Sequence, residues 1–126
     1  YANKRKTPSA VGAAKVVTGS YVGTGVYGQS NPCVLTFDFE PKLVIVSATN
    51  AGLVSGSYTG ITGGDWLMWI DGMTQSESGR SGYSNAMADD YYSKNGNSFS
   101  WYTTSVTNAG GQLNASGAVY YYIALG

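Results

Sequence analysis

The densest group of residues suited to ligand recognition lies between positions 83 and 92, where tyrosines stand beside carboxylates and an amide. The group consists of Tyr83, Asn85, Asp89, Asp90, Tyr91 and Tyr92. Aromatic rings offer broad apolar surface at low entropic cost, and neighbouring Asp or Asn side chains can hydrogen-bond hydroxyl groups. This combination is typical of sugar-binding sites, and Tyr102 is a further candidate. The alternative interpretation is that Tyr91 and Tyr92 cover the edge of a core or a subunit seam.

Paired carboxylates raise a second possibility, the hydrolysis of glycosidic bonds, which uses two acids about 5 to 9.5 Å apart. Asp38 and Glu40 are two residues apart and lie on the same face of a predicted strand. However, Glu40 precedes Pro41 at a strand end, where solvated acids are common. Asp89 and Asp90 are adjacent, but no calcium-loop spacing surrounds them. The sequence therefore predicts neither a catalytic residue nor a metal site.

Two residue counts exclude further classes of site. The chain contains no histidine, which removes histidine-based triads, histidine general bases and histidine metal ligands. Its single cysteine, Cys33, permits no internal disulfide and is expected to act as a small buried hydrophobe. No cofactor is expected.

The charge distribution bears on possible partners. Among 126 residues there are seven cations and seven carboxylates, and residues 1–15 carry +4 while the remainder carries −4. A nucleic-acid-binding domain normally has a basic face, so an acidic body argues against DNA and RNA. No apolar run approaches the roughly 18 residues needed to cross a bilayer, so membrane insertion is not expected.

Short alternating apolar runs, separated by Gly, Asn and Ser, predict six to eight antiparallel strands and an all-β fold. The clearest runs are 16–22, 33–39, 42–48, 65–71, 97–104 and 119–125. Residues 85–92 are expected to form a loop or one or two helical turns. Residues 1–15 lack apolar periodicity and are expected to be a linker, so the folded domain is 16–126.

Two of these runs are apolar on both faces, which is more than one small sandwich can bury, so a homo-oligomer is expected. The expected interface residues are Val44, Val46, Trp66 and Trp69, although at most one of the two tryptophans should face the core. In the last strand, Val119, Tyr121, Ile123 and Leu125 are predicted to point inward and Tyr120 and Tyr122 outward.

Several segments resemble parts of bacteriophage tail-fibre proteins. Residues 7–14 (TPSAVGAA) resemble short segments of tail fibres and minor structural proteins of tailed phages and prophages. The body is similar to the C-terminal β domains of tail fibres in three places: GSYVGTG at 19–25, the F-x-F-x-P-K-x-V-x-V pattern at 37–46, and LNASGAVYYYIA at 113–124. The resemblance implies a mostly β, usually trimeric fibre tip that contacts a bacterial polysaccharide or teichoic acid.

These observations combine into one expectation, a jelly-roll-like antiparallel β-sandwich that forms the homotrimeric distal tip of a tail fibre in the virion. It would bind a surface glycan without catalysis, through Tyr83, Asn85, Asp90, Tyr91, Tyr92 and Tyr102. Two alternatives remain open at this point. One is a polysaccharide-degrading virion enzyme, and the other is a structural trimerisation cap without receptor contact.

Overall fold

The structure, a computed structural model, describes residues 14–48, 66–73, 79–81, 90–103 and 109–126. Every regular element in these ranges is a β-strand, so the predicted all-β class is confirmed. The strands are β1 (Val16–Val22), β2 (Cys33–Thr36), β3 (Leu43–Ala48), β4 (Trp66–Ile70), β5 (Gly79–Ser81), β6 (Asp90–Asn95), β7 (Ser98–Thr103) and β8 (Val119–Leu125). Tyr83, Asn85, Asp89 and residues 1–13 of the predicted linker lie outside the described ranges.

The strands pair into two antiparallel sheets. One has the order β1-β8-β3-β4-β5 and the other the order β2-β7-β6. The C-terminal strand β8 lies between β1 and β3 and pairs with both. The strand β8 is therefore an interior strand of the larger sheet. Consecutive strands such as β1 and β2 belong to different sheets.

The inner faces of the two sheets pack against each other around an aromatic core. The ring of Trp69 in the larger sheet lies 4.8 Å from that of Phe99 in the smaller one, and Tyr21 lies 6.4 Å from Trp101. The predicted inward faces of β2 and β7 are confirmed, since Phe99 and Trp101 are buried and Cys33 packs beside them. Burial of a large aromatic side chain contributes about 3 kcal/mol or more, which makes this cluster the main stabilising contact between the sheets.

Three of the four residues predicted at a subunit interface belong to this core instead. Val44 and Val46 have no exposed surface, and Trp69 is 6% exposed. Val44 and Val46 have no surface left to contact a second chain, and the ring of Trp69 packs on Phe99 inside the same chain, so those three interface predictions were wrong. Trp66 lies half-buried on the opposite face of β4, as expected for residues three apart in a strand.

The facing of β8 was also predicted wrongly. Tyr120 and Ala124 are buried, Tyr122 packs against the core, and Tyr121 is 53% exposed. The hydroxyl of Tyr120 accepts a hydrogen bond from the backbone N of Ala115, at 3.0 Å, so its polar end is satisfied inside the domain. Because both faces of β8 carry large apolar residues, alternation alone does not reveal which face is inward.

A buried turn, residues 109–114, closes one end of the core through Gln112. The backbone oxygen of Gln112 accepts a hydrogen bond from the indole N of Trp101, at 2.8 Å. Its side-chain oxygen accepts from the backbone N of Gly28 (2.8 Å) and Thr103 (3.2 Å), and its side-chain amide donates to the Asn31 oxygen (2.7 Å). This wholly buried polar side chain therefore has its hydrogen-bonding groups paired and joins the smaller sheet to the loop after β1.

The same turn meets the loop after β1 at very short range. A Cβ atom on Gly23 would collide with the backbone oxygen of Ala115, so only glycine fits this position without a shift of the backbone. Asn114 bonds the side chain of Thr24 at 2.8 Å and the Val26 oxygen at 2.9 Å. The glycine-rich segment is thus a docking loop for the buried turn.

The two ends of the described body are adjacent in space. Lys15 and Gly126 exchange backbone hydrogen bonds of 2.8 and 2.9 Å, extending the β1–β8 ladder by one pair. Gly126 also lies against Phe39, just after β2. The buried turn lies at the opposite end of the strands, beside Tyr21 near the end of β1.

Candidate functional site

Two residues predicted to bind a ligand meet on the surface of the smaller sheet. Tyr91 on β6 is opposite Tyr102 on β7, with ring centroids 4.9 Å apart and ring planes inclined by 11°. Tyr91 is 46% exposed, and Tyr102 is half-buried. Parallel stacking covers one face of each ring. A ligand could therefore contact the exposed surface of Tyr91, which lies at the edge of the β2-β7-β6 sheet.

A two-residue hairpin sets the register that brings these rings together. Asn95 pairs with Ser98, and Gly96 and Asn97 form the loop between them. Gly96 has a φ of 59°, in the left-handed region that favours glycine. The expectation of a loop or helical turns up to residue 92 was therefore wrong from Asp90 onward, and the Gly96-Asn97 pair is a hairpin signal that could have corrected it.

The tyrosine pair belongs to a larger polar surface, which we call the tyrosine face. It comprises the outward side chains of β2, β6 and β7, which are Val34, Thr36, Tyr91, Ser93, Asn95, Ser98, Ser100 and Tyr102. The hydroxyls of Thr36 and Ser98 lie 3.0 Å apart and are hydrogen-bonded. These serines were not among the predicted ligand residues, although their alternation with Phe99 and Trp101 places Ser98 and Ser100 on the same side as Tyr102.

Tyr92, another predicted ligand residue, does not lie on the tyrosine face. Tyr92 points inward, with its ring 6.3 Å from that of Phe99, and packs against the core. This agrees with the alternative interpretation that it covers the core. Asp90 begins β6 opposite Thr103. Tyr83 and Asn85 lie outside the described residues.

A group of ion pairs lies at the opposite end of the smaller sheet from the tyrosines. Lys94 lies 3.3 Å from Glu40 and 3.6 Å from Asp71, and Asp71 accepts a hydrogen bond from Lys42 at 3.1 Å. The hydrogen bond from Lys42 is the main reason that the pKa of Asp71 lies below its usual value. Glu40, one of the two acids considered for glycoside hydrolysis, is thus the ion-pair partner of a lysine.

Metal binding and membrane spanning were also considered. In the described ranges, no three His, Cys, Asp or Glu residues are grouped so that they could hold a metal ion. Those ranges likewise contain no helix of the length and apolar character required to span a membrane.

A cleft of about 260 Å³ opens between the edge strands β1 and β2. Its walls include Tyr21, Cys33, Leu35 and Trp101. The hydroxyl of Tyr21 donates to the Leu113 oxygen at 2.8 Å, and burial raises the pKa of this tyrosine. Burial also raises the pKa of the Cys33 thiol to about 11. Cys33 therefore remains protonated and behaves as the small hydrophobe that the sequence predicted.

The outward side of the larger sheet has the opposite character, and we call it the apolar face. Its outward side chains on β1, β8, β3 and β4 include Val16, Leu43, Ile45, Trp66, Met68, Ile70, Tyr121, Ile123 and Leu125. Thr18, Ser20 and Ser47 are interspersed, and none of these twelve positions is charged. Ile70 and Tyr121 are 45% and 53% exposed. The domain therefore has the surplus apolar surface that was inferred from the sequence. Of the four residues predicted to form it, only Trp66 lies on this face.

Comparison of the chain with protein-family models, with curated proteins and with solved structures found no match.

Proposed function

We propose that this chain is the non-enzymatic receptor-binding tip of a phage tail fibre, and that its tyrosine face binds a bacterial surface glycan. The observation that carries the proposal is the exposed Tyr91 ring, held by Tyr102 and followed along the strands by hydroxyl and amide side chains. An aromatic surface beside groups that both donate and accept hydrogen bonds matches the two sides of a sugar ring.

The position of the pair in the domain supports a fibre-tip role. Lys15, where the chain enters the described body, lies beside Gly126 at one end of the strands. The tyrosines lie toward the other end, because Tyr102 follows Trp101, which contacts Tyr21 and the buried turn. A shaft joined through residues 1–15 would therefore present the tyrosines away from itself, on a domain carried by the virion.

The apolar face supports a homotrimer. Strand spacings of ~4.8 Å and rises of ~3.3 Å per residue give its four strands roughly 400 Å² in projection. An apolar patch of this size is often an interaction surface. We infer that three copies bury this face around a common axis, while the tyrosine faces, on the opposite sheet, point outward. A jelly-roll-like topology is the finer form of the proposed fold, supported by the nested pairs β1–β8 and β2–β7.

The proposal is tested with an array of purified bacterial surface glycans and a matched pair of variants. Native protein should bind at least one glycan, Tyr91→Ala should lose that binding, and Tyr27→Ala should keep it. Tyr27 is 40% exposed in the loop after β1 and belongs to neither named face, so it controls for the loss of a surface tyrosine. Equal binding by Tyr91→Ala and native protein would reject the tyrosine face as the receptor site.

The apolar face favours a second candidate function, a structural cap that drives trimerisation without touching a receptor. Light scattering on native protein and on Ile123→Glu measures the trimerisation that both functions require. Native protein should have the mass of three chains, and a charge at Ile123 should yield folded monomers. Val26→Glu, a change at a 45% exposed residue of the loop after β1, should remain trimeric. A trimer that binds no glycan or cell surface would favour the cap.

A further inference from the structure

We propose that the tyrosine face selects a neutral polysaccharide and discriminates against polyanionic chains such as teichoic acid. This inference rests on the proposed function and names the class of ligand for the same site. The juxtaposition that carries it is an exposed tyrosine ring at one end of a sheet face whose outward side chains are all uncharged.

The described strands of this sheet present no cation on the tyrosine face. Among the described strands β2, β6 and β7, the one basic residue is Lys94. Its partner in the pairing of β6 with β7 is the buried Phe99, so it lies on the inward side, where it reaches Glu40 and Asp71. Tight binding of phosphate or carboxylate groups relies on Arg or Lys side chains that can approach them.

A negative charge lies near one end of the tyrosine face. Asp38 is exposed and continues the outward alternation of β2 beyond Thr36. A carboxylate at this end of the face repels an anionic polymer and has little effect on a neutral one, whose hydroxyls can donate to it. The local electrostatics therefore disfavour teichoic acid, one of the two receptor classes that the sequence resemblance implies.

The shape of the tyrosine face suits a chain of sugars more than a single sugar. Three rows of outward residues cross the strands, from Tyr91 and Tyr102 through Ser93 and Ser100 to the row that contains Asn95. Successive rows are about 7 Å apart along a strand, so the face extends about 14 Å from the first row to the last. One sugar ring occupies only part of that length, and affinity should rise from a monosaccharide to an oligosaccharide.

The roles of the two tyrosines differ within this arrangement. Tyr91 is on edge strand β6, so the ring face turned away from Tyr102 has no neighbouring strand beside it among the described residues. A sugar ring can stack there. Tyr102 fixes the orientation of the Tyr91 ring and is a positioning residue. Tyr91→Ala should therefore lower affinity by about tenfold or more, and Tyr102→Ala by less.

The experiment uses affinity electrophoresis of the full chain in gels that contain neutral polymers (dextran, mannan, laminarin) or anionic ones (alginate, poly(glycerol phosphate)). Two opposite substitutions at one exposed position, Ser93→Lys and Ser93→Glu, report the charge of the ligand. For a neutral ligand both should weaken binding to a similar extent. For an anionic ligand the lysine should strengthen binding and the glutamate should weaken it.

Support for the inference would be retardation by a neutral polymer that is lost in Tyr91→Ala and changes less than about twofold between low and high salt. Retardation by anionic polymers alone, dependent on Tyr91 and weakened by salt, would overturn it while leaving the proposed glycan-binding function intact. Retardation that Tyr91→Ala leaves unchanged would overturn both. Ser93→Lys binding more tightly than native protein would also contradict neutrality.

Discussion

Adjacent residues on β6 have different roles because successive side chains of a strand point to opposite sides. Tyr91 is outward and stacks on Tyr102, whereas Tyr92 is inward and packs near Phe99. A sequence motif of two tyrosines therefore contributes one residue to the surface site and one to the core.

This division predicts different effects on stability. Tyr92→Ala should lower the free energy of unfolding by about 2 to 4 kcal/mol, since it removes an aromatic side chain packed on the core. Tyr91→Ala should lower it by about 1 kcal/mol or less, because it removes one exposed stacked ring. Urea denaturation of the two variants measures both values. Equal losses would show that Tyr91 is also part of the core, and glycan-binding defects of Tyr91→Ala would then need a different explanation.

Cys33 supplies a test of the cleft between β1 and β2. Burial raises the pKa of its thiol from 9.0 to about 11, so the folded state favours the protonated form. The corresponding stabilisation is complete below pH 9 and is lost as the pH rises toward 11. A thiol reagent at about pH 8 should label native protein far more slowly than urea-unfolded protein. Equal labelling rates would place the thiol in solvent.

At the scale of strands, the hairpin between β6 and β7 controls the site because it fixes the pairing of Tyr91 with Tyr102. Gly96→Ala places a Cβ on a residue with φ of 59°, which should cost about 1 to 2 kcal/mol. Gly96→Asn should cost less, since Asn tolerates this conformation. Thermal unfolding measures which of the two variants is less stable. A greater loss of stability for Gly96→Asn than for Gly96→Ala would contradict the assigned turn.

The sequence predicted the positions of the strands better than it predicted which strands pair with each other. The bounds of β1 and β8 match the predicted runs, and the inward faces of β2 and β7 are confirmed, because each has one clearly more apolar side. The orientation of β8 was wrong because Tyr120 and Tyr121 are equally suited to either side. Nothing local in β2 specifies that it pairs with β7, which follows some sixty residues later.

The sequence likewise predicted the residue types of the candidate site better than the contacts between them. Tyr91 and Tyr102 were both identified as candidates, but their contact depends on the register of β6, which was expected to be a loop or helix. The polar residues of the buried turn gave no signal, because Gln112 and Asn114 resemble ordinary loop residues until their long-range partners are known. Pattern identifies suitable residue types, whereas turns and the pairing of strands decide which of them meet.

At the scale of the whole molecule, the proposed function assigns assembly to the apolar face and recognition to the tyrosine face. If three copies meet through the apolar face, three tyrosine faces are presented by one rigid body, and avidity should exceed single-site affinity by about 10²- to 10⁴-fold on a surface that carries many copies of the glycan. Ile123→Glu monomers should lose this gain on immobilised polysaccharide. Their affinity for a short soluble oligosaccharide should equal that of native protein, measured by calorimetry.

Two results of that experiment would contradict this division. A loss of oligosaccharide affinity in Ile123→Glu would show that the apolar face contributes to the binding site. Unchanged binding to immobilised polysaccharide would show that trimerisation adds no avidity. Val26→Glu provides the matched control, since it adds the same charge outside both named faces.

The pairing of Lys15 with Gly126 determines how the domain carries mechanical load. If, as proposed, the chain is tethered through residue 15 and holds a receptor at Tyr91, a pull between these two points runs along the axis of β1, from one end of the domain toward the other. The seven residue pairs that join β1 to β8 are then loaded together in shear, and their hydrogen bonds do not break one pair at a time. Attachment at this end of β1 therefore makes the strand that receives the pull one of the most difficult to extract.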